Sequence, residues 1–285
     1  MSAKKWNLIV DVAKCHNCNN CFLGCKDEYV GNDYPGYSAP QPLHGHKWIN
    51  IRTKERGELP IVDTVFAPTM CNHCDDAPCI KAGDGAVEKR DDGIVIIHPA
   101  KAKGRKDIVE SCPFGHIWWN EELEVPQAWT FDAHLLDRGW TEPRCVQGCP
   151  TGALVSMKVT DARMAEISEA EILQPFSSEH DTKPRVHYKN LHRYNRLFVG
   201  GALVAKRGGV IDCLAGASIE LIKDGDVVGT AESDAFGEFR IDNLDAFSGA
   251  HELRIRHDDC APMTTNAEIT DKSLVFATIE LGPSA

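Results

Sequence analysis

The chain has 285 residues, 42% hydrophobic and 26% charged, which excludes a disordered or fibrous polymer and fits two domains or one large one. A net charge of −11 argues against nucleic acid as the main partner. The longest apolar run worth testing, Leu197 to Ala205, holds two glycines and is far short of the roughly 20 apolar residues a membrane helix needs, so no membrane span is expected.

In chain order, Met1 to Trp6 carries two lysines but no apolar core. No export signal is therefore expected, and the chain should fold in the cytoplasm, where thiols stay reduced. Trp6 to Val10 reads as a strand running into a first group of cysteines. Residues 30–48 mix Gly, Pro, Tyr and His without period and read as a long loop. Gly93 to His98 is β-branched, bounded by Gly and Pro, and reads as a second strand. Residues 160–173 predict a helix capped by Thr160 or Asp161. Residues 174–196 read as an extended basic-aromatic connector.

The tail differs in composition. Residues 198–285 carry 7 Lys+Arg against 15 Asp+Glu, a net of −8, which leaves −3 for the rest. Alternating stretches at 218–222, 227–231, 238–241, 251–256 and 274–279, separated by turn signals such as Asp224-Gly225, predict a small β-sandwich. The expected domains are 1–197 and 198–285.

The chain has 12 cysteines, ten of them between Cys15 and Cys149. Cys15, Cys18, Cys21 and Cys25 read C-x2-C-x2-C-x3-C. Thiolates so close along the chain do not readily pair as disulfides, but three of them can wrap an iron–sulfur cube while the fourth goes elsewhere. The pattern repeats. A second group is Cys71-x2-Cys74-x4-Cys79, with Gly83 where a fourth cysteine belongs. A third survives only as Cys112-Pro113; counting back gives Ile108, Arg105 and Ala102. A fourth ends in Cys145-x3-Cys149-Pro150, its earlier pair falling at Trp129 and Asp132. Cys213 and Cys260 read as small buried hydrophobes of the tail.

With these motifs, Cys71-Asn72-His73-Cys74, Ala77-Pro78-Cys79, Cys112 to Gly115 and Cys145 to Ala153, the chain resembles the iron–sulfur electron-transfer subunits of molybdenum or tungsten bis-pterin enzymes of the dimethyl-sulfoxide-reductase class. The resemblance implies an α+β fold: a bacterial-type tandem ferredoxin-like domain followed by a small all-β sandwich. Each fourth cysteine crosses to a partner cluster. The implied sets are Cys15, Cys18, Cys21 and Cys149 for one [4Fe-4S] cluster, and Cys71, Cys74, Cys79 and Cys112 for another. A site built on positions 83, 102, 105 and 108 lacks all four ligands. A third cluster would use Cys25, Cys145 and Asp132; Trp129 cannot ligate iron, so this site is either absent or unusually ligated.

The erased third group, Ala133 to Asp137, Lys183 to Leu191 and the appended sandwich narrow the resemblance. They point to the small subunits of hydroxylases and transhydroxylases of polyhydroxylated benzenes, of the resorcinol and pyrogallol–phloroglucinol type. The tail resembles a Cna-B or carboxypeptidase-regulatory sandwich through Asp234 to Phe239. The implied partner is a large catalytic subunit holding molybdenum as bis-MGD, with no activity expected from this chain alone. Another molybdenum or tungsten oxidoreductase of the class, or a free ferredoxin-like carrier, is the alternative.

Outside the cysteines no catalytic constellation is evident. His44 and His46 read as a solvated pair and His73 as packing beside a cluster. Arg185 to Arg196 reads as a surface for the large subunit.

Overall fold

A computed structural model describes residues 3–284. They form two compact units: residues 3–52 with 66–191, and 53–65 with 192–284. This division lies at 192, and it assigns 53–65 to the same unit as the tail.

In chain order the elements are β1 (Lys5–Asp11), α1 (Asn20–Tyr29), β2 (Ile49–Glu58), β3 (Ile61–Met70), α2 (Pro78–Gly83), β4 (Val87–Lys89), β5 (Val95–Ile97), α3 (Pro99–Ala102), α4 (Lys106–Glu110), β6 (Trp118–Asn120), β7 (Val125–Gln127), α5 (Ala133–Leu136), α6 (Arg144–Gln147), β8 (Leu154–Val159), α7 (Asp161–Ala170) and β9 (Val186–Lys189). There follow α8 (His192–Asn195), β10 (Leu197–Arg207), β11 (Val210–Cys213), β12 (Ser218–Lys223), β13 (Asp226–Glu232), β14 (Glu238–Leu244), β15 (Gly249–His257), β16 (Cys260–Ile269) and β17 (Leu274–Leu281).

In the first unit β1 is the middle strand of three, antiparallel to β8 and parallel to β9. Both its faces are covered, which is why Trp6-Asn7-Leu8-Ile9-Val10 reads as nearly continuous apolar sequence. Helix α7 starts where the Thr160 hydroxyl accepts from the Arg163 amide, as its cap signal predicts. Strand β9 and the arginine before it correct part of the surface role expected for Arg185 to Arg196. Val186 and Tyr188 are fully buried, and the Tyr188 hydroxyl donates to the Pro68 carbonyl at 2.8 Å. Arg185 is buried too, paired with Asp75 and with Asp161 at 3.0 Å. Arg185, Val186 and Tyr188 are core, made so by strand pairing that the basic composition conceals, while residues 192–196 are half-buried or exposed.

In the second unit, one four-stranded sheet runs β11-β10-β14 with β17 parallel to β10; the other runs β13-β12-β15-β16. Alternate residues, among them Leu203, Ile219, Leu221, Phe239, Ile241, Leu253 and Ile255, share one apolar core. The turn before β14 needs its glycine. Gly237 has φ +75° and a Cβ there would sit 2.2 Å from the Leu203 carbonyl oxygen. Cys260 is buried in this core, as expected, but Cys213 lies exposed on the edge strand β11.

Residues 53–65 join this unit through a buried cation. Arg56 is 1% exposed, pairs with Asp63 and with Asp242 at 3.2 Å, and donates to the Arg196 carbonyl at 3.0 Å. Its guanidinium lies 5.2 Å from the centroid of the Phe198 ring. Burial works to raise the Asp63 carboxyl, but Arg56, Arg240 and Arg193 outweigh it and hold it below the ordinary 3.8. A depressed carboxylate stabilises the fold above its unfolded value, and that contribution is lost as pH falls through the folded one. Acid melts of the whole protein are therefore expected to show the second unit losing stability below the ordinary carboxylate range. Asp63→Asn should flatten that dependence; an unchanged profile would refute the assignment.

Candidate metal centres

Cys15 and Cys18 lie in the loop between β1 and α1, where Asn17 and Asn19 take φ 56° and 62°, a left-handed conformation that Asn tolerates better than most residues. Cys21 lies in the first turn of α1, and Cys149 follows α6. The Asn20 side-chain amide donates to the Gly148 carbonyl at 3.2 Å, fastening the two segments. The thiols are close enough to repel one another as thiolates: Cys15 is raised by burial and by Cys149 and Cys18, and Cys21 reaches about 12 by burial and by Cys15, Cys18 and Cys149. For Cys149 burial also works upward, but backbone N–H groups of Leu154, Thr151 and Ala153 and the Thr151 hydroxyl bring it below the ordinary thiol value.

The second set lines one cavity. Cys71, Cys74, Cys79 and Cys112 surround it together with Asn72, His73, Pro113 and Phe114. Burial first, then mutual repulsion, pushes Cys71 well above the ordinary thiol value and Cys79 to about 12. Here and in the first set, backbone N–H groups from Asn17, Phe22, His73 and Ile80 work the other way.

All these cysteines are free thiols. Clustered thiols that repel as anions and face backbone donors, Cys21 and Cys74 buried among them, fit a group that supplies positive charge and soft acceptors, as iron does. Among the described residues no three His, Cys, Asp or Glu side chains close on a point as they would around a single metal ion.

The erased position is packed shut. Ala102 and Ile108 are fully buried in an apolar core with Val87, Val95, Ile97 and Ile117, against which Cys71, Cys79 and Cys112 pack. A Cβ on Gly83 would lie 2.5 Å from Val87 Cγ2. Arg105 donates to the Ala82 carbonyl and to Asp107 instead. Gly83→Ala is expected to destabilise the chain by about 1–3 kcal/mol through overpacking, read by denaturant melts, with iron content unchanged.

Cys25, Cys145 and Asp132 lie near one another without closing on a single point. All are buried, and each thiol is raised by burial and by the Asp132 charge. The Asp132 carboxylate is already engaged. It accepts from the Tyr29 hydroxyl at 2.8 Å, Trp129 Nε1 at 3.2 Å and the Arg144 amide at 2.8 Å. Trp129 stacks on Phe131 with centroids 4.8 Å apart. Sequence pattern did not reveal Tyr29, nor the adjacent knot in which buried Glu28 accepts from His134 at 2.8 Å and from Arg144 and Tyr34. Its only sequence trace is an acidic residue one turn beyond Cys25. His46 is buried rather than solvated, with Nε2 2.9 Å from the Trp119 carbonyl oxygen.

A family model described as a 4Fe-4S dicluster domain matches residues 62–159. The ferredoxin-like fold and its converging cysteines thus define an electron-transfer iron–sulfur subunit of the kind that accompanies molybdenum oxidoreductases. The chain is 42% identical over 281 residues to the pyrogallol hydroxytransferase small subunit of Pelobacter acidigallici, covering 98% of this chain and 100% of that one. It belongs to that protein's family. It is also 26% identical to the arsenate respiratory reductase iron-sulfur subunit of Shewanella sp. (strain ANA-3), over 64% of this chain and 94% of that one. With the thiosulfate reductase electron transfer subunit of Salmonella typhi the identity is 30%, over 52% of this chain and 72% of that one. No helix among the described residues is long and apolar enough to cross a membrane.

Proposed function

We propose that this chain is the electron-transfer subunit of a cytoplasmic molybdenum hydroxylase or transhydroxylase that acts on polyhydroxylated benzenes in anaerobic aromatic degradation. The carrying observation is near-full-length identity of 42% to a small subunit named for pyrogallol. Its large partner would hold bis-MGD and the substrate. Cys15, Cys18, Cys21 and Cys149 would hold one [4Fe-4S] cluster, and Cys71, Cys74, Cys79 and Cys112 a second. Each cluster supplies a one-electron redox site when bound. The chain's own part is to bury the cubes, aim backbone N–H groups at their sulfurs and keep water out.

The saturated Asp132 carboxylate supports a count of two clusters, with Cys25 and Cys145 left as buried thiols. Residues 1–197 would be the ferredoxin-like domain with its connector, and 198–285 a sandwich of the Cna-B or carboxypeptidase-regulatory type. The test is metal analysis of the native complex. Molybdenum and pterin are expected in the large subunit and eight irons in this chain. Twelve irons would place a third cluster at Cys25, Cys145 and Asp132; absence of molybdenum and pterin would sink the enzyme class.

A further inference from the structure

His73 sits between two cysteines of the second set, at φ 45°, a backbone conformation rarely kept without reason by a residue other than glycine. Its ring is 1% exposed. The Val95 backbone amide donates to His73 Nδ1 at 3.1 Å. A backbone N–H only donates, so Nδ1 must be the bare, accepting nitrogen, and the neutral ring carries its proton on Nε2. That Nε2 is buried and has no partner among the described residues. Trp129 and Phe131 stand steeply to the ring, each centroid 5.5 Å away, and their π-faces are far weaker acceptors than a sulfide or thiolate. His73 also lines the cavity with Cys71, Cys74, Cys79 and Cys112. Lys89 fixes the loop, donating to the His73 carbonyl at 2.7 Å and the Cys74 carbonyl at 2.9 Å.

We infer that His73 donates an Nε2–H hydrogen bond to a sulfur of the cluster held by Cys71, Cys74, Cys79 and Cys112, and so raises that cluster's reduction potential. A buried donor is seldom left unpaired, and cluster sulfurs are the acceptors this cavity would present. The bond strengthens when the cluster gains an electron, because the added negative charge falls partly on sulfur. The reduced form is thereby favoured. The inference rests on the cluster assignment proposed above.

The test uses the intact complex with 15N-labelled histidine. In pulsed EPR, the reduced cluster whose signal disappears in Cys112→Ala should couple to one histidine 15N and one exchangeable proton. His73→Leu should lose both couplings at unchanged iron content. Its midpoint should fall by a tenfold shift of the one-electron equilibrium, about 59 mV. His73→Gln, which keeps a donor, should recover part of that shift, and the midpoint of the other cluster should not move. Absence of histidine coupling in the unaltered protein would overturn the inference, whether or not His73→Leu retains its iron. So would an unmoved midpoint in His73→Leu with full iron. Unchanged iron in Cys112→Ala would overturn the cluster assignment itself.

Discussion

Replacing Cys149 by alanine is expected to remove four irons per chain and to unfold the first unit. Cys149 is the ligand that would close a cube across about 130 residues of chain, a loop whose closure is otherwise entropically costly. Metal–thiolate binding in structural sites contributes on the order of 10 kcal/mol, against a total stability of roughly 5–15 kcal/mol for an ordinary domain. Around Cys149 only polar ties remain: α6 is a single turn, held to α1 by the Asn20 to Gly148 hydrogen bond and by Arg144, which pairs with Asp27 and Glu28. Calorimetry should show the first unit's transition lost, while iron and acid-labile sulfide report the stoichiometry. Cys213→Ala is the control, since that thiol is exposed and should alter neither reading. Retention of full iron in Cys149→Ala would refute the crossing of this cysteine to the Cys15 set.

Asp132→Ala should cost the folded chain about 3–5 kcal/mol with no loss of iron. The substitution strands three donors at once, the Tyr29 hydroxyl, Trp129 Nε1 and the Arg144 amide. The first two are fully enclosed, so water cannot easily replace the carboxylate. Denaturant melts of the iron-loaded chain measure the cost. A loss of four irons would instead make Asp132 a ligand and raise the cluster count to three.

Both proposed cysteine sets were legible because metal coordination writes itself as residue type and spacing. The structure brings Cys149 to Cys15 and Cys21, and Cys112 to Cys71 and Cys79, although each partner is distant in sequence. The Thr160 cap and the alternating tail strands were equally readable, since each rests on local chemistry. What escaped was set by pairing between distant segments. The β2–β3 hairpin is rich in charge, and its buried Arg56 is tolerated only because Asp63 and Asp242 meet it. Tyr188 and Arg185 looked like exposed basic-aromatic sequence, and β1 turned them into core. Spacing marks Asp132 as a candidate iron ligand but says nothing of Tyr29, more than 100 residues away, which donates to it.

The assignment of residues 53–65 to the second unit has a consequence for synthesis. The ribosome finishes that hairpin tip long before it reaches His192, and at roughly 5–20 residues per second the wait is on the order of ten seconds. During that interval Arg56 has no Asp242 and no Phe198 to lie against. The order of assembly is therefore constrained from the far end. Nascent chains arrested before β14 should leave the tip open to protease, and chains released after β17 should protect it. A truncation at 191 is not expected to yield a clean iron–sulfur module, because it leaves Arg56 with Asp63 but strips Asp242, the Arg196 carbonyl and the Phe198 ring from it.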